Sequence, residues 1–143
     1  MPLWPDDFIT EATPPPERWE GPGLVMFFNL ECPGCISRGV PLLKRLAREH
    51  EGKLVIVMVH TAYGHKRYAR DEVAPTLLHF AGDFARIPFP IGLDLDGSIA
   101  ESWGVEGTPH WLVFAAGGEL LRSIYGSQEN AATRLEYLLA EVA

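Results

Sequence analysis

The most regular feature of the chain is a pair of short apolar runs, at residues 24–28 and 54–60. Runs of this length that are apolar at nearly every position are typical of strands buried on both faces of a sheet. Between them, Ile36, Val40 and Leu43 recur at steps of three and four, which is the spacing of an amphipathic helix. A strand, a helix and a second strand in this order predict a parallel βαβ unit.

The second half of the chain continues with alternating helical and strand patterns after a polar stretch at 61–70. The patterns predict, in order, a helix at 71–84, a strand at 89–94, a short helix at 98–103, strands at 111–114 and 120–125 joined by a hairpin turn, and a final helix. The fold class is therefore α/β, with a mixed sheet flanked by helices and an extra α-β element between its βαβ and ββα halves.

Particular residues are expected to bend or begin these helices. Pro41 lacks the N–H that a helix interior needs, so the first helix should kink near Gly39. Pro75 should interrupt or restart the second helix for the same reason. Ser98 begins a capping-box pattern at the short helix, and Ser127 should cap the last helix.

Residues 1–22 are rich in proline and are predicted to be an irregular N-terminal segment. Residues 7–10 could pair with the sheet as a short edge strand. Trp4, Phe8 and Trp19 would then attach the segment to the rest of the protein. The organisation expected is this segment followed by one domain at 23–143.

Composition narrows the class of protein. The chain has 143 residues, of which 47% are hydrophobic, enough for one domain with a real core. Its formal charge is −7, from 12 basic and 19 acidic residues, so nucleic acid and anionic membrane surfaces are poor partners. No apolar run approaches the ~18 residues that span a bilayer, and the first residues lack a signal-peptide pattern. A cytoplasmic location is therefore expected.

The two cysteines of the chain, Cys32 and Cys35, lie where the first strand turns into the first helix. In a cytoplasmic protein a close cysteine pair is more often catalytic or metal-binding than structural. The free N–H groups and the positive dipole end of the helix favour an anion, here the Cys32 thiolate. Such surroundings lower a cysteine pKa to roughly 3.5–7.5, and only the thiolate attacks a disulfide.

This arrangement resembles the thioredoxin fold, and more closely the TlpA-like thiol:disulfide oxidoreductases. Three local matches carry the resemblance across about residues 23–142. The first is the apolar strand, CPGC and a helix with a kinking proline, at 24–47; the second is the extra α-β element that ends in FPIGLD at 89–94. The third is WGVEGTP at 103–109, which is similar to the family's approach to its cis-proline.

The resemblance implies a role for each matching residue. Cys32 would be the exposed nucleophile and Cys35 the recessed resolving thiol. Pro109 would be cis and face the dithiol, while the Thr108 backbone would pair with an extended substrate segment. The expected activity is exchange with protein or small-molecule disulfides, without organic cofactor or metal, and with electrons from a donor such as a thioredoxin system. Cytoplasmic thiols favour the reductase direction.

The sequence departs from the family pattern beside the dithiol. Glu31 replaces the usual tryptophan before the first cysteine, and a carboxylate there should raise the pKa of Cys32 toward the upper part of the usual range. Met26 stands where thioredoxin has a buried aspartate, so the sequence does not identify the proton acceptor of Cys35, for which water or Glu31 could serve. The family's N-terminal hairpin is expected to be shortened or lost.

Two alternatives belong to other functional classes. A non-enzymatic metal or peptide carrier could use the two cysteines with His65 or His110, although zinc normally takes four ligands and this spacing does not demand it. A thiol peroxidase of the peroxiredoxin type would need Thr or Ser three residues before its reactive cysteine. Asn29 occupies that position before Cys32, so this alternative is disfavoured.

Overall fold

The computed structural model describes residues 2–62 and 67–143 and has a mixed five-stranded sheet at its centre. The strands are β1 (Gly23–Phe28), β2 (Val55–Thr61), β3 (Ile91–Asp94), β4 (His110–Phe114) and β5 (Leu120–Tyr125). They lie in the order β3-β2-β1-β4-β5. β2 is parallel to both β1 and β3, whereas β4 is antiparallel to β1 and β5. The predicted βαβ unit and hairpin are confirmed.

The helices are α1 (Val40–Glu49), α2 (Arg70–His79), α3 (Ser98–Ser102) and α4 (Glu129–Val142), with a short 3₁₀ turn at Pro16–Arg18. Single π-helical segments precede α1, at Cys35–Gly39, and follow α2, at Phe80–Phe84. Across residues 2–62 and 67–143, no helix has the length and apolar character needed to cross a membrane.

The central strand β1 is buried along its whole length because both faces of the sheet are covered. Met26 and Phe28 point to one face, where they pack with residues of α1 and α4. Val25 and Phe27 point to the other face, which carries a smaller apolar cluster. Strand side chains alternate between faces, so a continuous apolar run is what a doubly covered strand requires.

The first helix is predicted to kink near Gly39, and the structure has a π-helical segment there, at Cys35–Gly39, immediately before α1. The Val40 N–H bonds to the Cys35 carbonyl five residues back, and Pro41 has no N–H to continue the regular pattern. Gly39 also lies in close contact with its neighbours. A Cβ added there would lie 2.6 Å from Met26 Cε, so this start of the helix approaches the sheet more closely than a side chain allows.

The break predicted at Pro75 is wrong, because α2 continues through this residue. Val73, Ala74 and Leu77 are buried on both sides of the proline. Their packing against the core holds the helix together at the cost of one backbone hydrogen bond. The irregular segment instead follows α2, at Phe80–Phe84.

Two predicted caps are also wrong. Ser98 is the first residue of α3 and Gly97, with φ +81°, occupies the N-cap position, so the capping box does not form. The free N–H groups of α3 instead donate to two aspartates: Ser98 to Asp96 at 3.0 Å, and Ile99 and Ala100 to Asp94 at 3.0 and 2.9 Å. At α4, Gln128 rather than Ser127 is the N-cap residue, and its side chain makes no capping hydrogen bond.

The N-terminal segment packs on the sheet through the expected aromatic residues. Trp19 is buried, with its ring edge-on to Trp4 and to Phe114 at centroid distances of 5.8 and 5.5 Å. A Cβ on Gly23 would lie 2.2 Å from the Trp19 ring, so a glycine is needed under it. The expected edge pairing is reduced to one antiparallel bridge between Phe8 and Gly92.

Candidate functional site

The dithiol lies at the carboxyl end of β1, where the chain enters the π-helical segment before α1. The two cysteines are not joined by a disulfide; Cys32 is partly exposed and Cys35 is fully buried. The Cys35 backbone N–H donates to Cys32 Sγ at 3.3 Å, so the first sulfur accepts a hydrogen bond from the start of the helix. This geometry favours the charged form of an attacking sulfur and leaves that sulfur accessible.

The predicted proline loop lies directly against the first sulfur. The Thr108–Pro109 peptide bond is cis, as expected, and the Cys32 thiol donates to the Thr108 carbonyl at 3.4 Å. The Pro109 carbonyl accepts the N–H of Gly126 at 2.8 Å, which ties this loop to the chain after β5. The structure therefore brings together Cys32, Cys35, Thr108 and Pro109.

Burial raises the pKa of the Cys35 thiol to about 12, and its hydrogen bond with Cys32 adds to this effect. The Asn29 backbone acts in the opposite direction, because its hydrogen bond favours the thiolate of Cys35. Cys35 is therefore protonated at neutral pH, which suits a thiol that reacts only after Cys32 has formed a bond.

Asn29 is a site residue whose role the sequence did not reveal. It follows β1 and is fully buried. Its Nδ2 donates to the Thr61 carbonyl at 2.8 Å and to the Tyr68 hydroxyl at 3.2 Å, while its Oδ1 accepts the Glu31 N–H at 2.8 Å. Its carbonyl accepts the Cys32 N–H at 3.0 Å. A polar residue directly after a buried strand was the only signal in the sequence.

Replacing Asn29 by Ala should destabilise the protein by about 2 kcal/mol, because a buried amide loses its hydrogen bonds and the Glu31 N–H loses its acceptor. Urea unfolding measures the loss, with the exposed Gln128→Ala as control. The rate at which iodoacetamide alkylates Cys32 should change in Asn29→Ala as well, since the loop before the thiol is no longer held. An unchanged alkylation rate would show that Asn29 supports the fold and not the thiol.

His60, near the end of β2, contacts the same loop between β1 and the dithiol. It is buried, its ring is edge-on to Phe28, and its Nε2 accepts the Leu30 N–H at 3.2 Å. A ring nitrogen that accepts a hydrogen bond carries no proton, so this contact requires neutral imidazole. Burial also lowers the pKa of His60 from 6.5 to about 4.

Stability should fall between pH 6.5 and pH 4 through His60. In that window the unfolded chain protonates this side chain and the folded chain does not, so acid favours unfolding. The expected loss is about 2 kcal/mol by pH 4.5 relative to pH 7. Urea unfolding of the wild type and of His60→Gln at both pH values separates the contribution of His60 to this loss of stability from the contribution of the carboxylates. Equal losses in the two proteins would contradict the assignment.

Glu31 and Met26, the other residues predicted to affect the dithiol, lie in different surroundings. The exposed Glu31 carboxylate accepts a hydrogen bond from the Tyr68 hydroxyl at 3.3 Å, and its effect on Cys32 stays a prediction. Met26 is fully buried in the core under the helix start, so an apolar side chain occupies the position where thioredoxin has its aspartate.

The ligands considered for a metal site do not come together in the described residues. His110 is buried and lies two residues before Leu112 on β4, so the two side chains point to the same face of the sheet. That face is opposite to the one on which Cys35 lies. Its ring pairs with the Ser123 hydroxyl at 2.6 Å and accepts the Glu106 N–H at 3.3 Å. Within 2–62 and 67–143 there is no group of three or more metal-ligating side chains. His65 lies outside the described residues.

A groove of about 570 Å³ begins at the dithiol. One wall is the start of the first helix, from Cys32 to Arg38; the other is the chain from Tyr125 to Asn130, and Thr108 and Pro109 lie between them. A cavity of about 630 Å³ at the far end of α1 is slightly larger but contains neither cysteine. The groove at the dithiol is therefore the candidate substrate site.

The chain is similar to known proteins in structure. No protein-family model and no curated protein sequence matches the chain. A thiol-disulfide isomerase from Corynebacterium glutamicum superposes with a TM-score of 0.81 at 21% identity, covering 99% of this chain and 94% of its own. A thioredoxin-like superfamily protein gives a TM-score of 0.80 at 22% identity, with 98% and 92% covered.

A secreted disulfide oxidoreductase of Mycobacterium tuberculosis matches less closely, with a TM-score of 0.63 at 19% identity over 86% of this chain and 83% of its own. At this level of sequence identity, these likenesses establish the architecture of the chain. The chain therefore has the thioredoxin-like fold.

Proposed function

We propose that this protein is a thiol:disulfide oxidoreductase of the TlpA-like type, acting through Cys32 and Cys35 as a reductase of protein or small-molecule disulfides. The observation that carries the proposal is the position of Cys32 Sγ. It lies between the Cys35 N–H at 3.3 Å and the Thr108 carbonyl at 3.4 Å, at the mouth of a groove. The named activities of the structural neighbours, isomerase and disulfide oxidoreductase, support the same chemistry.

The first step is attack of the Cys32 thiolate on one sulfur of the substrate disulfide. The Cys35 N–H stabilises the thiolate, whereas the Thr108 carbonyl can accept a hydrogen bond only from the protonated thiol. Ionisation of Cys32 therefore releases that carbonyl, which becomes free to accept an N–H from an extended substrate segment. The substrate disulfide breaks, one thiol leaves and a mixed disulfide remains on Cys32.

Cys35 then attacks the Cys32 sulfur and releases the second thiol. Once Cys32 is in a mixed disulfide, its charge and its thiol hydrogen bond no longer raise the pKa of Cys35, and the Asn29 backbone still favours the thiolate. Water or the Glu31 carboxylate takes the proton. The products are an intramolecular disulfide and two substrate thiols, and an external dithiol donor such as a thioredoxin system restores the reduced protein.

The reduction potential of the Cys32–Cys35 pair tests both the chemistry and its direction. The protein is equilibrated with defined ratios of reduced and oxidised glutathione, and free thiols are then trapped and counted. A value near about −270 mV supports a reductase, and one above about −200 mV contradicts that direction. Failure to form the intramolecular disulfide at all would overturn the redox function.

A further inference from the structure

The groove at the dithiol has an unusual charge for this protein. The chain carries a formal charge of −7. Among the residues that the structure describes, however, those lining the groove include one charged side chain, the Arg38 guanidinium, and no aspartate or glutamate. Arg38 is exposed on the helix wall three residues beyond Cys35, and within residues 2–62 and 67–143 it makes no hydrogen bond or ion pair. Its donors are free for a ligand.

The opposite wall adds neutral polar groups and no negative charge. It presents Ser127, Gln128 and Asn130 at the start of α4, a helix of 14 residues whose positive dipole end lies at this point. Ser127 Oγ is close to the dithiol turn, since a Cβ on Gly34 would lie 3.1 Å from it. The acidic Glu129 is exposed and does not line the groove.

From this charge distribution we infer that the groove selects disulfides that carry a carboxylate near the reacting sulfur, with Arg38 as the residue that binds the carboxylate. The inference rests on the proposed function and specifies its substrate class. A guanidinium holds a carboxylate through paired N–H donors, and this orients the disulfide as well as attracting it. Arg38 is a specificity residue and takes no part in bond breaking.

The exchange with such a substrate needs no reactant other than the protein dithiol and the substrate disulfide. For oxidised glutathione, the Cys32 thiolate forms a bond to one sulfur, the substrate S–S bond breaks, and the first glutathione leaves and is protonated. Cys35 then bonds to the Cys32 sulfur and the second glutathione leaves. The protein dithiol loses two electrons and the substrate gains them. Glutathione carries carboxylates at both ends of its tripeptide, so it is a suitable probe.

The test uses three disulfides of different charge: oxidised glutathione (anionic), bis(2-hydroxyethyl) disulfide (neutral) and cystamine (cationic). Single-turnover rates of the reduced protein are divided by those of dithiothreitol to remove the intrinsic reactivity of each disulfide. In Arg38→Gln the rate with oxidised glutathione should fall about fivefold, the neutral rate should change less than about twofold, and the cystamine rate should rise. The difference should shrink as salt is added.

Arg48→Gln is the matched control, because it removes the same charge from an exposed position near the end of α1, outside the groove. Its rates should equal those of the wild type with all three disulfides. Equal changes with all three in Arg38→Gln, or no change with any, would overturn the inference while leaving the proposed function in place. If the wild type reacts with none of the three, the proposed function fails and the inference with it.

Discussion

Replacing Cys32 by Ser should lower the rate of disulfide exchange by at least about a thousandfold, because a hydroxyl at this position cannot supply a thiolate at neutral pH. Two contacts at the site are made to this sulfur, by the Cys35 N–H at 3.3 Å and the Thr108 carbonyl at 3.4 Å. Single-turnover reduction of a disulfide measures the loss. Substantial activity in Cys32→Ser would show that Cys35 or another group is the nucleophile.

Cys35→Ser should behave differently. Its Cys32 remains able to attack, but no resolving thiol follows, so the mixed disulfide should accumulate and be visible as a mass increase on the intact protein. Cys35 is fully buried and a buried hydroxyl has its own cost, so Cys35→Ala is a second variant for the same measurement. Rapid release of the second substrate thiol, the one held in the mixed disulfide, from both variants would contradict the resolving role.

Replacing Asp94 by Ala should destabilise the protein by about 3 kcal/mol. Its buried carboxylate accepts hydrogen bonds from the backbone N–H groups of Ile99 and Ala100 and from the Thr61 hydroxyl at 2.7 Å. The side chain therefore joins β3, β2 and the start of α3, and hydrogen bonds to charged groups are each worth about 1.5–3 kcal/mol. The free energy of unfolding in urea measures the effect.

Two further variants separate this role from ordinary helix capping. Asp96→Ala removes an exposed carboxylate that accepts the Ser98 N–H and pairs with the exposed Arg67 at 3.3 Å, and it should cost no more than about 1 kcal/mol. Asp94→Asn keeps one acceptor oxygen and should fall between the two. Equal losses in Asp94→Ala and Asp96→Ala would show that burial and the link to Thr61 contribute nothing.

The strands and the position of the dithiol could be predicted from sequence because each depends on local pattern. A strand covered on both faces, such as β1, has apolar residues throughout, and a CxxC pair directly after it must lie at the carboxyl edge of the sheet. An irregular helix start near Pro41 could also be predicted, since the lack of an N–H is a property of the residue itself.

The errors concern contacts that depend on the fold and that no local pattern of residues encodes. Asp94 caps α3 only because the turn after β3 brings its carboxylate under the helix, which makes the Ser98 capping pattern redundant. Asn29 and His60 support the dithiol loop through partners about 30 residues away, at Thr61 and Leu30. No local pattern reports such pairs, and Pro75 was misjudged because tertiary packing outweighed its helix-breaking tendency.

The bridge between Phe8 and Gly92 has a consequence for how copies of this protein meet at high concentration. The N-terminal segment occupies hydrogen-bonding groups of β3, through Ile9 to Ile91 and through Leu93 to Asp7, so that edge cannot readily accept a strand from another molecule. The opposite edge, β5, has no such cover among the described residues, and it carries Arg122. Edge-to-edge aggregation would therefore begin at β5, where a charged side chain opposes it.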